Sequence, residues 1–118
     1  MSTTLKQVNT FTHNADSNSS RMQNYRMHLR TITNGLVEMA KAAGRTKYTY
    51  NQLLRECYNL VDAEFHSYEE WKKMGAYVKR GQHAYLFWGK PITNEAGFRY
   101  YPIEFLFCRD QVQFKEVQ

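Results

Sequence analysis

The hydrophobic period of this chain changes once, at Gly75. Upstream, Met22, Tyr25, Leu29, Ile32, Leu36, Met39/Ala40 and Ala43 recur at spacings of three and four, which draws an apolar stripe down one face of a helix. Downstream the period is two, the mark of strands whose side chains alternate between faces. A chain that is helical first and strand-like afterwards predicts an α+β fold, with two to three N-terminal helices packed on a small antiparallel β-sheet. Its 118 residues suffice for one such domain.

Short polar motifs punctuate the helical half. Ser20 reads as the N-cap of the first helix and Gly44 as its C′ residue. Gly35 is tolerated inside that helix at a cost of roughly 1 kcal/mol. Thr49-Tyr-Asn-Gln52 is a capping box, with Tyr48 placed to staple onto Leu53. It opens a second helix expected to run to about Asp62 with Leu53, Leu54, Cys57, Tyr58 and Val61 inside. Ser67-Tyr-Glu-Glu70 is a further capping box, opening a short helix from Tyr68 to Met74 that Gly75 closes. Trp71 and Met74 stand three apart and are expected to share its buried face, with Glu69 and Glu70 at its N-terminal end and Lys72 and Lys73 in its last turn, as the helix dipole prefers. Residues 1–20, rich in Ser, Thr and Asn, have little to bury and read as a flexible tail ahead of a single domain at 21–118.

In the second half, Ala76 to Lys79 reads as a short strand and Lys79 to Gln82 as a turn with Gly81 at positive φ. His83 to Trp88 is a strand, Asn94 to Gly97 a hairpin turn, and Phe98 to Phe107 the return strand. Pro91 and Pro102 mark edges or interruptions of pairing, and 111–118 adds a strand fragment or frays. Leu86 and Trp88 share one parity while Tyr85 and Phe87 share the other. Both sides of this sheet are therefore apolar: either both faces are covered, or one aromatic face is open for stacking or for a protein partner.

The net charge is +5, and it is concentrated: 21–60 holds seven Lys/Arg against two acids. That favours polyanionic partners. Nothing matches a catalytic or metal site. Cys57 and Cys108 lack ligand spacing and read as free buried thiols, and His13, His28, His66 and His83 are scattered. There is no G-x-S-x-G, P-loop or GxGxxG, and Glu69 and Glu70 are adjacent on a helix, hence on different faces. We expect no enzyme, no metal and no cofactor. The polar start shows no signal peptide, and no run nears the roughly 20 apolar residues of a membrane span. A cytoplasmic protein follows as the default.

The segment Ser67 to Pro91 holds five Lys/Arg, two Trp and three Tyr. Cations neutralise phosphates, and flat rings stack on unpaired bases. Within it, Gly75 and Gly81 bracket a strand that delivers Lys79 and Arg80 to a tight bend, where exposed backbone N–H groups and two cations suit a phosphate. The same residues also suit an ordinary solvated hairpin tip.

Four segments then carry a resemblance: Tyr48-Thr-Tyr-Asn-Gln-Leu-Leu54, Ser67-Tyr-Glu-Glu-Trp-Lys-Lys-Met-Gly-Ala-Tyr-Val-Lys-Arg-Gly81, Phe87-Trp-Gly-Lys-Pro91 and Phe105-Leu-Phe-Cys-Arg-Asp-Gln111. In this order they resemble the N-terminal domain of ArdC-type antirestriction proteins, over about residues 21–114, with Trp71 to Gly81 the most specific part. The resemblance implies a single-stranded-DNA-binding domain carried by plasmids, phages or conjugative elements. In longer relatives a metallopeptidase-like domain with an HExxH motif follows. No such motif stands in this sequence, so that role is not carried over. Gly81-Gln-His-Ala84 and Arg109-Asp-Gln-Val112 depart from the family pattern, whereas Lys79, Arg80 and Gly81 match it.

The expected function is thus single-stranded DNA binding. Lys72, Lys79, Arg80 and Lys90 are the candidate phosphate contacts, Arg45 and Lys47 extend that track, and Tyr77, Tyr85, Trp88 and Tyr101 are the stacking candidates. Trp71 is assigned mainly to the core. The alternative is a protein-interaction module with an exposed aromatic sheet face and a basic rim.

Overall fold

The computed structural model describes residues 15–116, and the chain divides into two compact units, 1–32 and 33–118. In the first unit the chain is helical from Ala15, where α1 (Ala15–Ala42) begins. Ser20 therefore lies within α1 and does not cap it, since no Gly or Pro between Ala15 and Ser20 halts the helix. The rest of the expected tail, 1–14, lies outside the described residues. Leu29 is buried in this unit, whereas Met22 and Tyr25 of the expected stripe are exposed. The Thr31 hydroxyl donates back to the Met27 carbonyl at 2.9 Å.

The second unit opens with the end of α1, where Thr33 and Ala40 are buried and Met39 is exposed. Gly44, at φ +79, closes it as expected: its N–H donates to the Lys41 carbonyl and the Arg45 N–H to that of Ala40, both at 2.9 Å. Next, α2 (Tyr50–Cys57) begins at a complete capping box, with the Gln52 N–H on Thr49 Oγ1 at 3.0 Å and the Thr49 N–H on Gln52 Oε1 at 2.8 Å. It ends well short of Asp62. Asn59 takes the left-handed conformation (φ 61) and closes the helix much as glycine would, with the Leu60 N–H on the Arg55 carbonyl at 2.9 Å. Cys57 and Val61 consequently fall outside the buried face and are exposed, and Leu53 and Leu54 carry the packing.

The Ser67 capping box is likewise complete and opens α3 (Tyr68–Lys73). Trp71 is 1% exposed, but Met74 is 44% exposed. Met74 sits at the C-cap, where the chain leaves through Gly75 at φ +88. Ala76 and Val112, from later strands, complete the packing around Trp71 instead.

The strands are β1 (Phe65–Ser67), β2 (Ala76–Val78), β3 (Tyr85–Trp88), β4 (Ile92–Thr93), β5 (Arg99–Tyr100), β6 (Ile103–Cys108) and β7 (Val112–Phe114), with a 3-10 turn at Arg109–Gln111 before β7. They pair as an antiparallel sheet in the order β1–β6–β3, a separate β2–β7 ribbon and a β4–β5 hairpin. The fold is α+β. Asn94 to Gly97 makes the expected turn, with the Phe98 N–H on Asn94 Oδ1 at 3.0 Å. The expected return strand is split at Tyr101-Pro102, because Pro102 offers no N–H to a partner. Its carbonyl still accepts the Gly89 N–H at 2.8 Å.

Side chains from other elements pack on both faces of the three-stranded sheet. On one, Tyr85 and Phe87 meet Tyr58 at the C-cap of α2, with ring centroids 4.9 Å apart for Tyr58–Tyr85 and 5.5 Å for Tyr58–Phe87, and Phe65 packs against both Tyr85 and Phe87. The Arg55 guanidinium lies 4.9 Å from the Phe65 ring. On the other, Trp71 Nε1 donates to the Phe107 carbonyl at 2.8 Å and Trp88 Nε1 to Thr33 Oγ1 at 3.0 Å.

Candidate nucleic-acid interface

The β2–β7 ribbon has two unlike faces. Ala76, Val78 and Val112 turn toward Trp71. On the opposite parity Tyr77 pairs across the ribbon with Gln113, and both are exposed, Tyr77 at 47%. The pairing continues past the strand ends, with the Lys79 N–H on the Gln111 carbonyl and the Lys115 N–H on the Gly75 carbonyl, both at 2.9 Å. Lys79 and Lys115, both exposed, stand just beyond the two ends of the ribbon on either side of Tyr77, roughly 13 Å apart along it. An exposed aromatic ring thus lies between two exposed cations along the ribbon.

Arg80 follows at the turn, exposed, and Gly81 takes φ +84 there. This turn is not the tip of a hairpin, because β2 pairs with β7 and not with β3. Lys79 Nζ donates to the Asp110 carbonyl at 3.1 Å, which steadies its stem while the charge stays at the surface. Lys115 escaped the sequence reading. The alternation Val112-Gln-Phe-Lys115, apolar then polar, carries the signal that assigns it to the outward face.

The other expected residues scatter. Tyr85 and Trp88 lie on opposite faces of the three-stranded sheet, both half-buried against the partners described above. Their rings are engaged within the fold and do not join the face of Tyr77. Tyr101 is exposed beside the hairpin, Lys90 is exposed just ahead of β4, and Lys72 is exposed in the last turn of α3. Arg45 is held by Glu56 through two hydrogen bonds, Nη1 to Oε1 at 2.7 Å and Nη2 to Oε2 at 3.0 Å. That pairing raises the Arg45 guanidinium above its ordinary value and holds the Glu56 carboxyl below the usual carboxylate range. Lys47 is exposed nearby.

Among the described residues no cluster of His, Cys, Asp and Glu is arranged to hold a metal ion, and no helix is long and apolar enough to cross a membrane. Comparison of the chain with protein-family models, with curated proteins and with solved structures finds no match.

Proposed function

We propose that this chain is a single-stranded-DNA-binding module of the ArdC N-terminal kind, an accessory domain of a mobile element with an antirestriction-related role. The observation that carries the reading is the exposed Tyr77 ring with exposed Lys79 and Lys115 at either end of its ribbon and Arg80 at the adjoining turn. A flat ring stacks on any base, and flanking cations meet the phosphates on either side. A duplex hides its base faces, so the arrangement favours a single strand. Such a module works by binding alone, and its setting is the cytoplasm, where mobile-element DNA is met. Fluorescence anisotropy with labelled oligo-dT and the corresponding duplex tests the reading. The single strand is expected to bind more tightly at low salt, and Tyr77→Ala to weaken that binding. Equal affinity for both forms, or no binding at low salt, refutes it.

A protein-interaction role is the second reading, favoured by the β4–β5 hairpin. There Ile92 and Phe98 are exposed, Phe98 at 71%. Salt-insensitive capture of a protein partner, abolished by Phe98→Ala, would decide for it.

A further inference from the structure

We infer that the cavity between the loop after α1 and the flank of α2 binds a single phosphate group, with Glu56 as its resting counter-ion. The cavity measures about 420 Å³ and is lined by Arg45, Lys47, Gln52, Arg55, Glu56 and Val61. Three cations against one carboxylate leave it net positive, which suits an anion.

The local geometry says which anion. Arg45 already grips two oxygens of one planar group, since its fork closes on both carboxylate oxygens of Glu56. A phosphate offers the same two-oxygen edge with more charge. Arg55 is fixed at the cavity wall: its Nη1 donates to the carbonyls of Ala63 at 2.8 Å and Val61 at 3.3 Å, and its guanidinium rests on the Phe65 ring. Lys47 supplies a mobile third charge at the surface. The Arg45–Glu56 pair is solvent-accessible, with about two-fifths of each side chain exposed, at 39% and 43%. Such pairs are weak, so a dianion with access to three cations can displace Glu56 from Arg45. Glu56 then keeps the site paired while it is empty.

The inference rests on the nucleic-acid reading for the source of its ligand, but the site is testable without DNA. The arginine Nε–Hε resonances of the labelled protein are followed during titration with inorganic phosphate at fixed ionic strength. The expected result is a saturable shift of Arg45 and Arg55 with Arg99 unmoved. Glu56→Gln should lower the half-saturating phosphate concentration by about threefold or more, given how weakly an exposed pair holds. Glu95→Gln, which makes the same charge change at the hairpin turn, should leave it unchanged. A uniform response of all arginines, or equal behaviour of the two variants, overturns the site. Oligo-dT with and without a 5′-phosphate then separates the sources. A Lys47-dependent gain for the phosphorylated strand assigns the group to a strand end, and no gain beside a saturable phosphate response assigns it to a free phosphate or small phosphomonoester. Because inorganic phosphate is the primary probe, failure of this site and failure of DNA binding at the Tyr77 face are read separately.

Discussion

The side-chain amide of Asn51 makes with Trp88 both hydrogen bonds that a neighbouring strand would make: Nδ2 donates to the Trp88 carbonyl at 2.8 Å, and Oδ1 accepts the Trp88 N–H at 3.0 Å. Two turns further on, at the C-cap of α2, the Tyr58 hydroxyl donates to the Leu86 carbonyl at 2.8 Å. The outer edge of β3 is thus satisfied by a helix lying along it, which leaves less of an open edge for another chain to pair with. Asn51→Ala strands the Trp88 carbonyl and N–H in a half-buried position and is expected to cost about 1–3 kcal/mol. Asn51→Asp should cost more at neutral pH, because a carboxylate then faces the Trp88 carbonyl. Urea denaturation with an unchanged slope checks both.

Gln111 plays the matching part at the other end of the sheet. Its Oε1 accepts the Cys108 N–H at 2.9 Å and its Nε2 donates to the His83 carbonyl at 2.7 Å, so one side chain bridges β6 to the chain entering β3. It is 7% exposed, too buried for water to replace those bonds easily. Gln111→Ala is expected to lower stability by about 2 kcal/mol. It should also speed amide exchange at Cys108, which hydrogen-exchange mass spectrometry or NMR reads directly.

These two bridges also show where the sequence is silent. Both capping boxes are legible because cap, partner and backbone lie within four consecutive residues, Thr49 to Gln52 and Ser67 to Glu70. The pairing of Val78 with Val112 is not, since the two are far apart in sequence and β7 is too short to announce its partner. The same limit governs the site. Tyr77, Tyr85 and Trp88 look alike in the sequence as aromatics beside cations, and only packing onto Tyr58 and Thr33 removes the last two from the surface. Arg45 looks free until the loop folds back and brings Glu56 to it. Asn59 passes for an ordinary helix residue because its left-handed conformation depends on where the helix stops, and propensity alone does not set that.

Acid should weaken the fold through specific carboxylates. Glu70 is held below the usual carboxylate range, chiefly by the Ser67 backbone N–H that its carboxylate accepts at 2.8 Å. Glu64 is held below it chiefly by its bond to the His66 ring at 2.9 Å, with Arg109 contributing at 3.5 Å. A group whose folded value is depressed contributes stability above its unfolded value and loses it as pH falls through the folded one. The unfolding midpoint should therefore fall as the pH drops between about 5 and 3. Glu70→Gln keeps the capping geometry but removes the titrating group. It should flatten part of that fall, and a pH series of denaturation midpoints that is identical for the two proteins would contradict the assignment.

Charge and stacking at the Tyr77 face separate by their response to salt. Each phosphate that a cation neutralises on a single strand adds a slope of about −0.7 to the plot of log affinity against log salt concentration. Lys79, Arg80 and Lys115 are exposed on or beside that face. Replacing each with alanine should flatten the slope by about 0.7, and the triple variant by about 2. Tyr77→Ala removes a ring and no charge, so it should weaken binding by about 1–3 kcal/mol per stacked base while leaving the slope unchanged. Anisotropy titrations of oligo-dT at a series of salt concentrations measure both quantities on the same samples. A Tyr77→Ala protein with an altered slope, or a triple variant with the wild-type slope, would mean that the strand runs elsewhere on the protein.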